Sequence, residues 1–372
     1  MKFALILALL AHLAFERTVA AFNRVRWIAQ GSVASGRAEA EGKPASKSPT
    51  VIKDGTGAVL FLRFSPDGRE LARICMFGPV ALFDTTRYDR ARTFPVGMRM
   101  VAYSPDGTRI ATAEGTDSAR VWDAAVTGKP VPNSDLLYLL DTPLQVLQAA
   151  SRDSKQRVFW TEFSPDGKRL VTTQANGHVK VWNTSSWVAE SDLAASESEV
   201  RAATFSPDSK VLVIGDTSGL LHHWSVETRA EIKTTRVPSG AITGVVFAPD
   251  GKTLVSSQNT GEVSGSSVTI WDTSSWVALQ KENFGSAALS SDGTILALGG
   301  RNIELIEMPS RKEIRTINLP EMSLREVNRL LADHPNADQK IPITVDSLAF
   351  SPDGKTLAAG CKDGTVRLVQ LK

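Results

Sequence analysis

Short apolar runs separated by polar turn residues recur along the chain from about residue 51 to its end. Each run is too short for a stable helix, and a Ser-Pro-Asp-Gly type of turn follows many of them. In such a turn Pro presets φ, Asp accepts hydrogen bonds from nearby backbone groups, and Gly tolerates positive φ. Further on, Asn176-Gly177 and Asp363-Gly364 favour tight hairpins. The pattern predicts a succession of short antiparallel strands.

The turn strings recur seven times at nearly regular spacing. They are FSPDG at Phe64, Phe163 and Phe350, YSPDG at Tyr103, FSPDS at Phe205, FAPDG at Phe247 and LSSDG at Leu289. Their aspartates are Asp67, Asp106, Asp166, Asp208, Asp250, Asp292 and Asp353, separated by 39, 60, 42, 42, 42 and 61 residues. A period near 42 is the length of a four-stranded propeller blade. We therefore predict an all-β, closed seven-bladed propeller of four-stranded antiparallel blades.

A large apolar residue follows each turn where a third strand is expected: Phe83, Trp122, Trp182, Trp224, Trp271, Ile306 and Val369. Trp122-Asp123 and Trp271-Asp272 are the WD dipeptide itself. With its seven phased copies, the chain from about Val51 to Lys372 resembles the WD-repeat family. The resemblance implies a non-catalytic protein-interaction scaffold. The family's Gly-His pair ahead of the first strand is missing from every copy, and its aspartate in the second turn is present at Asp363 and, less clearly, at Asp117. We therefore expect the tetrad of side-chain hydrogen bonds that links these groups to be mostly absent.

The last copy ends after its third strand, which would leave blade seven with an unpaired edge. We predict that the segment before the first copy, Pro49 to Lys53, pairs with the final strand and completes the blade. The propeller is therefore assigned to residues 49–372.

The N-terminal residues have the organisation of a secretory signal peptide. A basic Lys2 precedes the apolar stretch from Phe3 to Phe15, and small residues stand at Ala20 and Ala21. We assign residues 1–21 to the signal and residues 22–48, which lack periodicity, to a disordered linker. The protein is expected to be secreted or periplasmic, without stable membrane insertion after cleavage. The alternative is a membrane tether formed by the uncleaved segment.

Two inter-blade intervals are longer than the rest, from Asp106 to Asp166 and from Asp292 to Asp353. The extra residues follow a third strand, so they belong to connections on the face opposite the repeated turns. The second insertion contains a capping box at Ser323 with apolar residues at helical spacing after it, and the first is also apolar. We predict one short helix in each. They either cover the propeller edge or flank a binding surface.

The side chain of the residue four places before each turn aromatic is expected to point towards the face that carries the insertions. The candidates for partner binding are Arg99, Phe159, Arg201, Thr243 and Asp346. Their mixture of charge and an aromatic ring suits protein recognition. We therefore predict a protein or peptide partner and a monomeric chain.

Other classes of function find little support in the composition. The net charge is only +2, and no clustered basic field indicates a nucleic-acid partner. Adjacent His222 and His223 should point to opposite faces of a strand, and no metal or cofactor motif accompanies them. Cys75 and Cys361 are expected to be buried free thiols. We predict no catalytic residue, no metal and no cofactor.

The alternative is a small-ligand-binding or hydrolytic propeller that uses the central channel. That function needs several polar side chains at the channel mouth. The inner-strand residues Ala202, Ala287 and Ser347 are small and give it little chemistry.

Overall fold

The computed structural model describes residues 50–53, 57–76, 80–94, 99–113, 115–125, 143–148, 157–259, 266–282, 284–308, 310–323 and 340–371. These ranges contain strands and turns but no helix, and hence no helix that could cross a membrane. The assigned signal peptide and linker, residues 1–48, lie outside them.

Seven four-stranded antiparallel sheets form the blades, and consecutive strands of each blade pair in order. Blade one contains β2 (Val59–Phe64), β3 (Glu70–Cys75), β4 (Ala81–Asp84) and β5 (Arg90–Thr93). Blade two contains β6 (Met100–Tyr103), β7 (Arg109–Ala113), β8 (Ser118–Asp123) and β9 (Gln145–Gln148). Blade three contains β10 (Val158–Phe163), β11 (Arg169–Gln174), β12 (His178–Asn183) and β13 (Ala189–Ala194).

The other blades repeat this arrangement. Blade four contains β14 (Val200–Phe205), β15 (Val211–Asp216), β16 (Leu220–Ser225) and β17 (Glu231–Arg236). Blade five contains β18 (Ala241–Phe247), β19 (Thr253–Asn259), β20 (Ser266–Asp272) and β21 (Ala278–Glu282). Blade six contains β22 (Ser286–Leu289), β23 (Ile295–Gly299), β24 (Asn302–Glu307) and β25 (Lys312–Asn318).

Blade seven is completed by a strand from the other end of the propeller segment, as predicted. Its own strands are β28 (Val345–Phe350), β29 (Thr356–Cys361) and β30 (Thr365–Gln370). The fourth is β1 (Thr50–Lys53), which pairs antiparallel with β30. The first strand of every blade contacts the first strands of both neighbouring blades, including β2 with β28, so the ring is closed.

The repeated turns are held by side-chain hydrogen bonds that recur from blade to blade. In blade one, Ser65 Oγ donates to Asp67 Oδ1 at 2.7 Å, and the backbone N–H of Arg69 donates to the same oxygen at 3.0 Å. Gly68 occupies the left-handed region with φ +73°. In blade four Ser209 replaces this glycine, and its Oγ accepts a hydrogen bond from the N–H of Asp166 in the neighbouring turn.

The hydrophobic core consists of clusters that lie between neighbouring blades rather than one central core. Between blades seven and one, for example, Ile52, Val59 and Phe83 pack against Val366 and Leu368. Each blade therefore buries its apolar side chains only when its neighbours are present, as expected for stacked repeats.

Part of the side-chain tetrad survives, which the sequence did not lead us to expect. The indole N–H of Trp122 donates to Thr112 Oγ1, that of Trp182 to Thr172 Oγ1, and that of Trp271 to Ser256 Oγ, each at 2.9 Å. The Trp-to-hydroxyl half of the tetrad is thus present in three blades. The prediction that the tetrad is mostly absent does not hold for the hydrogen bond from tryptophan to hydroxyl in these three blades.

The first insertion is not the connection between blades that was predicted: residues 126–142 come between β8 and β9 of blade two, and Ala124 N–H at the end of β8 donates to Thr108 O in the repeated turn. Gln145–Gln148 of the first insertion is not helical but forms β9, the outermost strand of blade two. Two short strands, β26 (Glu321–Ser323) and β27 (Lys340–Pro342), flank residues 324–339 of the second insertion and pair with each other. The expected helical residues 324–335 lie outside the described ranges, as do residues 126–142.

The cysteine and histidine predictions are confirmed. Cys75 and Cys361 are buried free thiols that lie in different interblade clusters. The imidazoles of His222 and His223 contact different partners, because their side chains point to opposite faces of β16. His222 lies near the carboxylates of Asp216 and Glu231, whereas His223 packs on the ring of Trp276 with the centroids 4.1 Å apart.

Candidate functional site

The first strand of most blades begins with a β-bulge. In five blades the pairing between the first and second strands skips one residue, and the skipped residues are Leu60, Phe159, Arg201, Thr243 and Asp346. A bulge leaves its extra residue outside the ladder and turns its side chain away from the sheet. Four of these five residues are those predicted to open towards the insertion-bearing face.

The equivalent residues of the other two blades are Arg99 and Gly285, which come directly before the strand. Their N–H groups donate to Ala113 O at 2.6 Å and to Gly299 O at 2.9 Å. Together with the five bulged residues they form a ring of seven positions at the starts of the inner strands. We name this set (Leu60, Arg99, Phe159, Arg201, Thr243, Gly285 and Asp346) the mouth ring.

Three residues of the mouth ring come together across three consecutive blades. The guanidinium carbon of Arg99 lies 5.5 Å from the centroid of the Phe159 ring, and that of Arg201 lies 5.7 Å from the same centroid. These are cation–π distances. We call Arg99, Phe159 and Arg201 the arginine cluster.

The electrostatic surroundings of this cluster are strongly positive. Partial burial lowers the pKa of Arg99, and the nearby charges of Arg157 and Arg201 lower it further. Arg201 forms an ion pair with Glu199 at 2.7 Å, and both side chains are well exposed. The cluster therefore concentrates more positive than negative charge among the described residues.

A glycine makes room for one of the two arginines. A Cβ atom at Gly115, in the turn between β7 and β8, would lie 2.7 Å from Nε of Arg99. The backbone of this turn is tied to the next blade, because Gly115 N–H donates to Val158 O and Val158 N–H donates to Thr116 O. Arg99 is thus held against a turn that is hydrogen-bonded to Val158, the residue before Phe159 in β10.

The other two predicted residues occupy equivalent positions on different blades. Thr243 donates through Oγ1 to Ser257 O at 3.2 Å. Burial raises the pKa of Asp346, while the charge of Lys362 opposes this shift. In the described part of the chain neither residue contacts the arginine cluster. The mouth ring is therefore basic over blades two to four and carries a carboxyl group at blade seven.

Sequence reasoning missed several residues of this site. Leu60 is the blade-one member of the ring and is 43% exposed. Arg157 and Glu199 stand two residues before Phe159 and Arg201 respectively, at equivalent places in their repeats. That repeated offset was the available signal. No sequence pattern pointed to Gly115, since only the folded chain brings it under Arg99.

The opposite end of the channel is built differently. Arg63 of blade one and Glu162 of blade three form a bidentate ion pair, with N–O distances of 2.7 and 2.6 Å. Nearby, the rings of Phe61 and Trp160 meet edge to face at 6.2 Å between centroids. These contacts join blades one and three across the interior of the ring, in front of blade two.

A space of about 400 Å³ lies beside this ion pair, lined by turn prolines such as Pro66 and Pro165. The small inner-strand residues considered for a channel site do not all face it. Ala202 is fully buried in an interblade cluster, and Ser347 Oγ accepts a hydrogen bond from the N–H of Leu62 in blade one. Within the described ranges no group of three or more His, Cys, Asp or Glu side chains is arranged to hold a metal ion.

Comparison with known proteins shows a family that the repeats resemble. The WD domain, G-beta repeat (WD40) family matches residues 142–183, 230–272 and 338–369. Each matched segment ends within one residue of the large third-strand residue, Trp182, Trp271 or Val369. The sequence repeat therefore ends one strand before its blade does, which is why β1 has to complete blade seven.

Two relatives also match part of the chain. WD repeat-containing protein 1 of Rattus norvegicus is 29% identical over 110 residues, which are 28% of this chain and 18% of that protein. WD repeat-containing protein 1 of Xenopus tropicalis is 24% identical in an alignment of 174 residues that covers 38% of this chain and 29% of that protein. The chain thus spans less than a third of the length of these relatives. The resemblance to the WD-repeat family is confirmed by these matches and by the seven blades.

Proposed function

We propose that this chain, a seven-bladed propeller of WD repeats, is a non-catalytic platform that binds a protein or peptide partner at its mouth ring. WD-repeat propellers are generally protein-interaction scaffolds. The observation that carries the proposal is the arginine cluster, in which two guanidinium groups and one phenyl ring from three blades converge. Arginine and aromatic side chains are enriched where partners contribute most binding energy.

The shape of the mouth ring supports the same function. Bulges leave five of its seven residues outside the strand ladder, while the residues on both sides of each bulge stay paired. These five side chains can therefore contact a partner while the flanking strand pairing is kept. The second insertion connects blade six to the start of β28 in blade seven, and such connections commonly carry binding residues. The platform is proposed to act as a monomer, without a nucleic-acid partner or a cofactor.

Export from the cytoplasm belongs to the proposal as well. It rests on the signal-like organisation of residues 1–21. The test is to compare the mass of the chain in the cytoplasmic and the extracellular or periplasmic fractions. Export with cleavage predicts the exported chain to be shorter by the signal, whereas an uncleaved tether predicts full length in the membrane fraction.

The binding function is tested by affinity capture from the native extracellular or periplasmic fraction. The wild-type chain is compared with Arg99→Glu/Arg201→Glu, which reverses both charges of the arginine cluster. The matched control is Arg69→Glu/Arg87→Glu, because Arg69 and Arg87 are highly exposed and belong to turns on the other face. Thermal melts of all three chains verify that the ring is folded.

We expect one protein to be enriched on the wild type and on the control, and lost from the mouth-ring variant. Equal capture by all three chains would refute the mouth ring as the binding surface. If instead a small molecule co-purifies and protects the chain against unfolding, a ligand site beside the Arg63–Glu162 pair replaces the platform. That space, at about 400 Å³, lies within the usual range of ligand pockets.

A further inference from the structure

We infer that the arginine cluster binds an extended acidic segment of the partner, with two carboxylate side chains that stand two residues apart. This inference rests on the proposed function, since it names the chemistry of the partner at the same mouth ring. It is drawn from charge, distance and exposure at the described residues.

The charge of the cluster is not balanced within the described chain. Arg157 and Arg201 lower the pKa of Arg99 and Glu199 raises it, so two positive groups and one negative group act on this guanidinium, and the carboxylate of Glu199 is paired with Arg201. Like charges that are held close together and partly desolvated repel each other. An anionic partner removes this repulsion when it binds, which makes the cluster complementary to acidic groups and repulsive towards basic ones.

The existing ion pair does not block the cluster. The side chains of Arg201 and Glu199 are 48% and 40% exposed, and a pair with that exposure contributes only about 0 to 1 kcal/mol. An incoming carboxylate can therefore share or displace Glu199 at small cost. Arg99 is held differently, because its side chain lies over Gly115 and against the ring of Phe159.

The spacing of the two arginines sets the spacing of the carboxylates. Both guanidinium carbons lie within 5.7 Å of one ring centroid, so they are at most about 11 Å apart. An extended peptide advances about 3.3 Å per residue and its side chains alternate between two sides, so residues two apart lie on one side and are separated by roughly 7 Å. Such a pair reaches both arginines, whereas residues one or three apart point to opposite sides of the peptide and residues four apart are separated by roughly 13 Å.

The rest of the mouth ring orients the segment. Asp346 on blade seven repels an acidic peptide laid over it. Blade one offers apolar surface instead, with Leu60 43% and Met76 54% exposed. An acidic segment with a neighbouring apolar side chain therefore fits across blades one to four, with its carboxylates over Phe159.

The test uses an immobilised set of short synthetic peptides with a Gly/Ser background, one Leu and two Glu residues. The two Glu residues are separated by one to five positions, and matched sets carry Gln or Lys in their place. Binding of the purified, labelled chain is measured at low and at high salt. A single-stranded DNA oligonucleotide is included, because phosphates also bind arginine.

The expected result is a preference of about tenfold or more for Glu over Gln peptides, greatest at a separation of two, and weaker at high salt. Arg99→Gln/Arg201→Gln removes the preference, whereas the matched pair Arg69→Gln/Arg87→Gln on the other face retains it. No peptide binding, no preference for Glu, equal loss in the control or equally tight DNA binding would each overturn the inference.

A third variant separates this inference from the proposed function. Leu60→Asp alters the mouth ring without removing either arginine. If Leu60→Asp no longer captures the partner, but the wild-type chain shows no preference for Glu peptides, then the mouth ring still binds the partner and the inference of an acidic segment is wrong. If capture survives every mouth-ring variant, the platform itself fails, whatever the peptides show.

Discussion

The two ends of the propeller's inner strands come from the same seven repeats, yet their residues have different tasks. At the turn end one residue pattern recurs, and its side chains bond to each other, as Ser104 Oγ does to Asp106. At the mouth ring no residue pattern recurs, and bulges release the side chains from the sheet. The comparison teaches that recurring positions maintain the fold, while positions that vary within a regular frame are available for recognition.

Removing the strand that closes the ring should destabilise both ends of the inner strands. Deletion of residues 1–54 takes away β1, whose Ile52 is buried between blades seven and one. We expect the free energy of unfolding to fall by about 3 kcal/mol or more, since loss of a buried Ile alone costs about 2 to 5. Deletion of residues 1–46 leaves β1 intact and should have no such effect. Urea unfolding followed by circular dichroism measures both, and equal stability of the two chains would refute closure by β1.

Breaking the ion pair at the turn end tests whether the two ends are independent. Glu162→Gln leaves Arg63 without its bidentate partner in the ring interior, and we expect a loss of about 1 to 2 kcal/mol in the free energy of unfolding. Glu190→Gln, which removes the more peripheral pair with Arg169, should cost less. Neither change should alter partner capture at the mouth ring, and a change in capture by the folded Glu162→Gln chain would show that the ends are coupled.

The repeated turns offer a matched pair of substitutions. Asp106 accepts three hydrogen bonds, from Ser104 Oγ, Thr108 N–H and Thr108 Oγ1. In blade five an Ala replaces the Ser, and Asp250 accepts only the bond from Lys252 N–H among the contacts described. Asp106→Ala should therefore cost about 1.5 kcal/mol and Asp250→Ala about 0.5, taking about 0.5 kcal/mol, the lower end of the usual range, for each bond at these exposed turns. Equal losses in thermal melts would mean that the turn hydrogen bonds do not set turn stability.

The smallest expected effect is a pH dependence in blade four. Burial opposes the charge of His222, but hydrogen bonds with Asp216 and Glu231 outweigh it and raise the pKa. This stabilisation is complete below the unfolded value near 6.5 and is lost as the pH rises through the folded pKa. For His223, burial, Lys233 and His222 lower the pKa to about 4, so stability falls as the pH drops from about 6.5 towards 4.

The two adjacent histidines therefore predict a stability maximum near pH 6.5 within their range. Urea unfolding at several pH values should show that His222→Gln flattens the decline above this pH, and that His223→Gln flattens the decline below it. A wild-type profile without a maximum, or one unchanged by both substitutions, would contradict the assigned directions.

Most of the fold could be predicted because repetition amplifies weak local signals. One Ser-Pro-Asp-Gly turn predicts little, but seven in phase predict the blade number, the strand order and the closing strand. The clearest error was the place of the first insertion, which comes between β8 and β9 within blade two, where Gln145–Gln148 form an edge strand. An exposed four-residue strand has almost no pattern of its own, and pairing with β8 determines its conformation.

The candidate site was predictable only in part. Counting back from each turn aromatic located Arg99, Phe159 and Arg201, because equivalent positions in a repeat are equivalent in space. Whether they touch depends on the bulges and on the angle between blades, which no residue pattern records. Gly115 under Arg99 and the ion pair from Arg63 to Glu162 join residues that are distant in sequence. The sequence by itself determined the repeating frame, since local turn chemistry and alternation suffice for it. Only the tertiary structure decided which side chains meet, because closure of the ring brings them together.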